Sequence, residues 1–153
     1  MTNLSLQKKS AARMAAAQCL YAVAITGEMH TPAEAVARLR KQLANNAQEQ
    51  KLLVGQPLEP NYALVEQLLS GIDIFGDDIG AQIDGALSEG WKRERMSPLL
   101  LAILQCAVFE LFFGKEMNPK IIIDEYTRLT RHFFSDAEVG FVHGALGRLA
   151  KQR

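Results

Sequence analysis

The chain has 153 residues, 48% of them hydrophobic and 22% charged, a size and balance that suit one globular domain over residues 1–153 and leave little room for two. Its 17 Lys and Arg equal its 17 Asp and Glu, which argues against a polybasic coat for nucleic acid. The apolar runs at 99–103 and 121–123 fall far short of the roughly 20 residues of a membrane span, and the polar start lacks a signal-peptide core, so a cytoplasmic protein is expected.

The neutrality is segregated. Residues 1–41 carry six basic residues against two acidic, residues 49–89 one against eight, and residues 92–153 ten against seven. An anionic partner would have to be met by a patch. Cys19 and Cys106 sit in apolar helical patterns with no CxxC and no nearby His, which reads as two reduced core thiols.

The first periodic stretch, residues 6–25, is rich in Ala and free of Gly and Pro until Gly27, which suits a helix closed by a left-handed glycine. Thr31-Pro32-Ala33-Glu34 combines a capping Thr, a first-turn Pro and the Glu of a capping box. Val36, Leu39 and Leu43 then repeat at helical spacing. From about 44 to 60 the pattern dissolves into Asn, Gln, Gly55, Pro57 and Pro60, which predicts a polar connecting loop. A third helix starts near Asn61, with Tyr62, Leu68, Leu69 and Ile72 inward.

After Gly76, Asp77 or Asp78 is expected to cap a shorter helix with Ile79, Ile83 and Leu87 spaced by four. A charged link around Trp91 leads to Ser97-Pro98, which opens a helix that is apolar on nearly every face through Phe113. Gly114 ends it. Asn118-Pro119 starts another, and Ser135-Asp136-Ala137-Glu138 is a second capping box opening the last. With no strand alternation between hairpin turns, the fold class is all-α: about seven helices packed around the 99–113 element.

A catalytic reading finds little to stand on, because there is no phosphate-cradling glycine loop, nucleophile elbow, HExxH or local Cys-His pair. His30, His132 and His143 lack metal-ligand spacing, so neither a metal nor a cofactor is expected. Asp77-Asp78 and Asp124-Glu125 are read as helix-start acids. The first helix is more informative. Lys8, Lys9 and Arg13 cluster at its N-terminal end, where cations oppose the helix dipole. Either this is a solvated helix start, or an anionic ligand such as a nucleic-acid backbone compensates them. Gln18, deep in the same helix, either satisfies a buried backbone group or helps read a base edge.

Here the residues carry a resemblance. Lys8-Lys9-Ser10-Ala11-Ala12-Arg13, followed by Ala16-Ala17-Gln18-Cys19-Leu20-Tyr21, resembles the opening of the NusB family of transcription antitermination factors. Leu68-Leu69-Ser70-Gly71, Leu104-Gln105-Cys106-Ala107-Val108-Phe109-Glu110-Leu111, Pro119-Lys120-Ile121-Ile122-Ile123-Asp124-Glu125 and Phe141-Val142-His143-Gly144-Ala145-Leu146 resemble later family motifs in the same order.

The resemblance implies a non-catalytic, cytoplasmic, all-helical RNA-binding protein. With a small-subunit ribosomal protein acting as NusE, it would bind boxA-type single-stranded RNA in nascent ribosomal transcripts, within the RNA polymerase antitermination complex. A homodimer stays open. Carried over by position, Lys8, Lys9 and Arg13 would meet phosphates, with Gln18 close behind, and Phe141 would stack on an unpaired base if exposed. Periodicity alone makes Phe141 an ordinary core aromatic.

The chain departs from the family at several of these positions. Ser10 and Ala11 stand where relatives carry Arg or Lys, and Gln105 where they carry Arg. His143 replaces Asn, Phe134 replaces Gly, and Val139-Gly140 replaces a polar, basic pair. Fewer cations imply weaker, partner-assisted RNA binding. The alternative is a protein-interaction scaffold of the same fold that has lost RNA recognition.

Overall fold

The computed structural model describes residues 3–50, 58–87, 90–116 and 118–153, with the side chains of 47–50 left aside. Seven α-helices and one 3₁₀ turn make up these residues, with no strand among them. The chain divides into two compact units, residues 1–69 and 70–153.

The first unit holds α1 (Asn3–Thr26), α2 (Pro32–Gln50) and the start of α3 (Tyr62–Ile74). In α1, Ala12, Ala15, Ala16 and Ala17 are buried, small side chains that let a neighbouring surface approach the helix closely. Gly27 closes α1 at φ 74°, donating to the Val23 carbonyl at 2.8 Å, as expected of a left-handed glycine. At the start of α2 the capping box is reciprocal: Glu34 N–H donates to the Thr31 hydroxyl at 3.1 Å, and Thr31 N–H to the Glu34 carboxylate at 3.2 Å. Asn61 caps α3, its side-chain oxygen accepting from Leu64 N–H at 3.1 Å.

The polar stretch after Leu43 is not a loop throughout. α2 continues to Gln50, because Ala, Gln and Glu propagate a helix well and no Gly or Pro interrupts until Gly55 and Pro57. The apolar pattern stops at Leu43 and the backbone does not. The rest of the expected loop, 51–57, lies outside the described residues.

In the second unit, α4 (Gly76–Ala86), α5 (Pro98–Phe113), α6 (Pro119–Arg131) and α7 (Asp136–Ala150) pack together, with α5 against each of the other three. Ten of the sixteen α5 residues are buried, among them Leu100, Ile103, Leu104, Val108 and Leu111. Pro98 and Asn118-Pro119 start their helices as expected, Asn118 accepting from Lys120 N–H at 3.0 Å. Ser97 takes the cap position without a side-chain hydrogen bond.

Asp77 and Asp78 do not cap α4. The cap position is Phe75, and both acids lie in the first turn, where the dipole still favours them. The start is moved forward by packing, since the Phe75 ring stacks on Phe113 at 4.1 Å between centroids. The capping box at α7 is formed, with Ser135 N–H donating to Glu138 at 3.2 Å.

Gly71 belongs to a motif singled out in the sequence, and its structural reason is clear. A Cβ there would fall inside the ring of Phe109. Gly71→Ala is therefore expected to lower stability by about 1–3 kcal/mol, although alanine gains about 1 kcal/mol in helix propensity; chemical denaturation measures the difference.

Glu34 and Glu138 are both held below the ordinary carboxylate range, by hydrogen bonds from Thr31 and Ser135 respectively. A folded-state pKa below the unfolded one gives stability that is present above the unfolded value and lost as pH falls through the folded one. Glu138→Gln should flatten the decline of the thermal midpoint between about pH 5 and pH 3, read from melting curves across that range.

Candidate nucleic-acid interface

The first helix separates the cations that the sequence groups together. Its first turn contains no acid, so Lys8 and Lys9 stand near the positive end of the helix without a compensating carboxylate on it. Both are half-buried, whereas Arg13, one turn beyond Lys9, is only 7% exposed. Lys8 and Lys9 are thus the cations of the cluster with surface to offer. Gln18 is exposed, so its amide is not needed to satisfy a buried backbone group.

A cleft of 530 Å³ opens beside Lys8. Ser5 and Lys8 of α1 line it, with Arg40 of α2 and the entry to α3 at Glu59, Asn61 and Tyr62. The Asn61 N–H donates to the Lys8 carbonyl at 3.0 Å, which ties the entry of α3 to the first helix. The Arg40 guanidinium lies over the Tyr62 ring, 4.3 Å from its centroid, a cation–π contact that orients an otherwise exposed side chain. Burial pushes the Tyr62 hydroxyl up, the Glu59 carboxylate adds to this and Arg40 opposes it, so the hydroxyl stays a neutral donor. The sequence places Tyr62 on the inward side of the third helix and counts Arg40 only within the surplus of cations in residues 1–41, which was the available signal.

In the second unit, Phe141 of α7 is 8% exposed and its ring stacks on Trp91 at 4.0 Å, with 12° between the planes. Phe141 is therefore a covered aromatic, and Trp91, half-buried, is the member of the pair that reaches the surface. The segment carrying Trp91 is held at several points. Gly90 turns at φ 93°, and Arg93 pairs with Asp84 at 3.0 Å. Arg93 also occupies space that a side chain at position 80 would take, which glycine leaves open. Lys92 and Arg95 are exposed beside it, as is His143 on α7.

Among the described residues every regular element is helical, with lysines near the start of the first helix and Phe141 of the last stacked on Trp91, which defines an all-helical class of protein. The NusB family model matches residues 10–151, and the chain belongs to the NusB family. The transcription antitermination protein NusB of Caulobacter vibrioides is 26% identical over 99% of this chain and 97% of its own length. That of Maricaulis maris is 31% identical over 94% and 86% respectively. A solved structure of T. maritima NusB superposes with a TM-score of 0.73 at 20% identity, covering 95% of this chain and 92% of its own, which shows the same fold.

Trp91 is the chain's single tryptophan, so its fluorescence reports on the Phe141 contact. Phe141→Ala is expected to shift the emission to longer wavelength and to cost about 3–5 kcal/mol in stability. Unchanged emission and an unchanged denaturation midpoint would contradict the stack.

Proposed function

We propose that this chain is a non-catalytic, RNA-binding transcription antitermination factor of the cytoplasm, acting as one NusB-like domain. With a small-subunit ribosomal protein in the NusE role, it binds boxA-type single-stranded sequences in nascent ribosomal RNA. The observation that carries the reading is the family match, which runs over residues 10–151 and is accompanied by relatives named transcription antitermination protein NusB that align with nearly the whole chain.

In this reading Lys8 and Lys9 meet phosphates and Gln18 presents its amide to a base edge. Arg13 and Phe141 act from behind the surface, the first by supporting α1 and the second by supporting Trp91. No step of the function calls for a cofactor, a metal or a nucleophile; charge, hydrogen bonding and stacking suffice for recognition of an unpaired strand.

A second reading, a scaffold of the same fold without RNA recognition, is favoured by one observation. The cation cluster is thin, with Arg13 enclosed and Ser10 and Ala11 in place of further charges. A mobility shift at low salt, with the ribosomal partner and a boxA-type RNA, separates the two. The RNA-binding factor retards the RNA, and Lys8→Glu with Lys9→Glu weakens the shift at least tenfold and reduces the salt slope by about 1.4 for two lost phosphate contacts. Recovery of the protein partner without any RNA shift would instead establish the scaffold.

A further inference from the structure

The cleft beside Lys8 has a composition that support of the fold does not require. An exposed arginine reaches across to α3 and lies on a tyrosine ring, a lysine lines the same space, and the neighbouring asparagine and serine supply neutral polar atoms. Its volume of 530 Å³ is in the range of small-molecule pockets and admits a nucleotide. From this juxtaposition we infer that the Lys8–Arg40–Tyr62 cleft is a nucleotide subsite for single-stranded RNA, in which an unpaired base stacks on the Arg40 guanidinium and an adjacent phosphate is held by Lys8. The inference rests on the RNA-binding reading above and extends it to α2 and α3, which the basic motif of the first helix does not reach.

A guanidinium is planar, and unpaired bases stack on such planes as they do on aromatic rings. Free arginine side chains lose much rotamer entropy when they are ordered, and the Tyr62 ring has already oriented this one, so less is lost on binding. The cleft also has a favourable sign for a polyanion, since among the described residues that line it two cations face one carboxylate, Glu59. Tyr62 is a positioning residue here, acting through Arg40. Glu59 opposes the ligand, and that gives the proposal a test of sign.

The test is fluorescence anisotropy of a labelled boxA-type RNA with the full chain and its ribosomal partner, titrated across salt, with circular dichroism to establish folding of each variant. Arg40→Gln is expected to weaken binding about five- to tenfold with little change in the salt slope, because the phosphate contact belongs to Lys8. Arg40→Lys keeps the slope and still loses affinity, because an ammonium offers no plane to stack on. Tyr62→Leu loses affinity because the ring under Arg40 is removed, and Glu59→Gln tightens binding.

If the wild type and Lys8→Glu with Lys9→Glu show the behaviour expected of an RNA-binding helix but Arg40→Gln and Glu59→Gln match the wild type, the cleft is overturned and the RNA reading stands. If the wild-type complex does not bind the RNA at all, the RNA reading falls and the subsite falls with it.

Discussion

The second unit is organised by a helix that has no polar face. From Pro98 to Phe113 every side has apolar residues to bury, and an element of this kind is stable in water only when neighbours cover it all round. α4, α6 and α7 do so. The one acidic side chain on the helix, Glu110, is 5% exposed and accepts a hydrogen bond from the hydroxyl of Tyr126, itself fully buried on α6. A buried carboxylate without such a partner would carry a large desolvation cost. This contact therefore restricts how α6 can rotate and slide against α5, in a core whose apolar contacts alone would tolerate several arrangements.

From that centre the rest of the unit follows. α7 lies against both α5 and α6, and its Arg148 reaches the C-terminal end of α4, donating from Nε at 3.2 Å and Nη2 at 2.8 Å to the Ala86 carbonyl. Carbonyls at a helix C-terminus lack intrahelical partners, and a guanidinium satisfies both their hydrogen bonding and their partial charge. The same packing brings Phe141 under Trp91. The ring of Phe141 thus becomes the floor of an aromatic pair.

Helix starts were legible wherever local chemistry decides them. Thr31 with Glu34, Asn118 before Pro119 and Ser135 with Glu138 form the caps that their spacing implies, because these bonds depend on residues two or three apart. What was not legible depends on distant partners. The displaced start of α4 follows from Phe75 packing on Phe113, and the covering of Phe141 follows from Trp91, fifty positions away in the chain. The extension of α2 past Leu43 was obscured for another reason: a helix that is polar all round has no apolar period to detect. The enclosure of Arg13 was hidden because a charged residue four from Lys9 reads as part of a solvated face.

Charge arithmetic has the same limitation. A chain with equal numbers of acids and bases binds no polyanion through its overall field, and any attraction has to come from groups that folding brings together. Lys8 and Arg40 are 32 positions apart, yet they line one cleft because Asn61 holds the entry of α3 against the first helix and Tyr62 fixes Arg40. Arg13 contributes to the count and little to the surface. The effective patch is therefore smaller than the six cations of the first 41 residues, but two of its members are fixed by backbone and ring contacts. For the proposed RNA-binding function, so few cations would neutralise few phosphates, and the electrostatic affinity would be modest and fall gently with salt. Discrimination would then have to come from stacking and hydrogen bonding at pre-positioned groups, and a protein partner would have to supply the affinity that the charge does not.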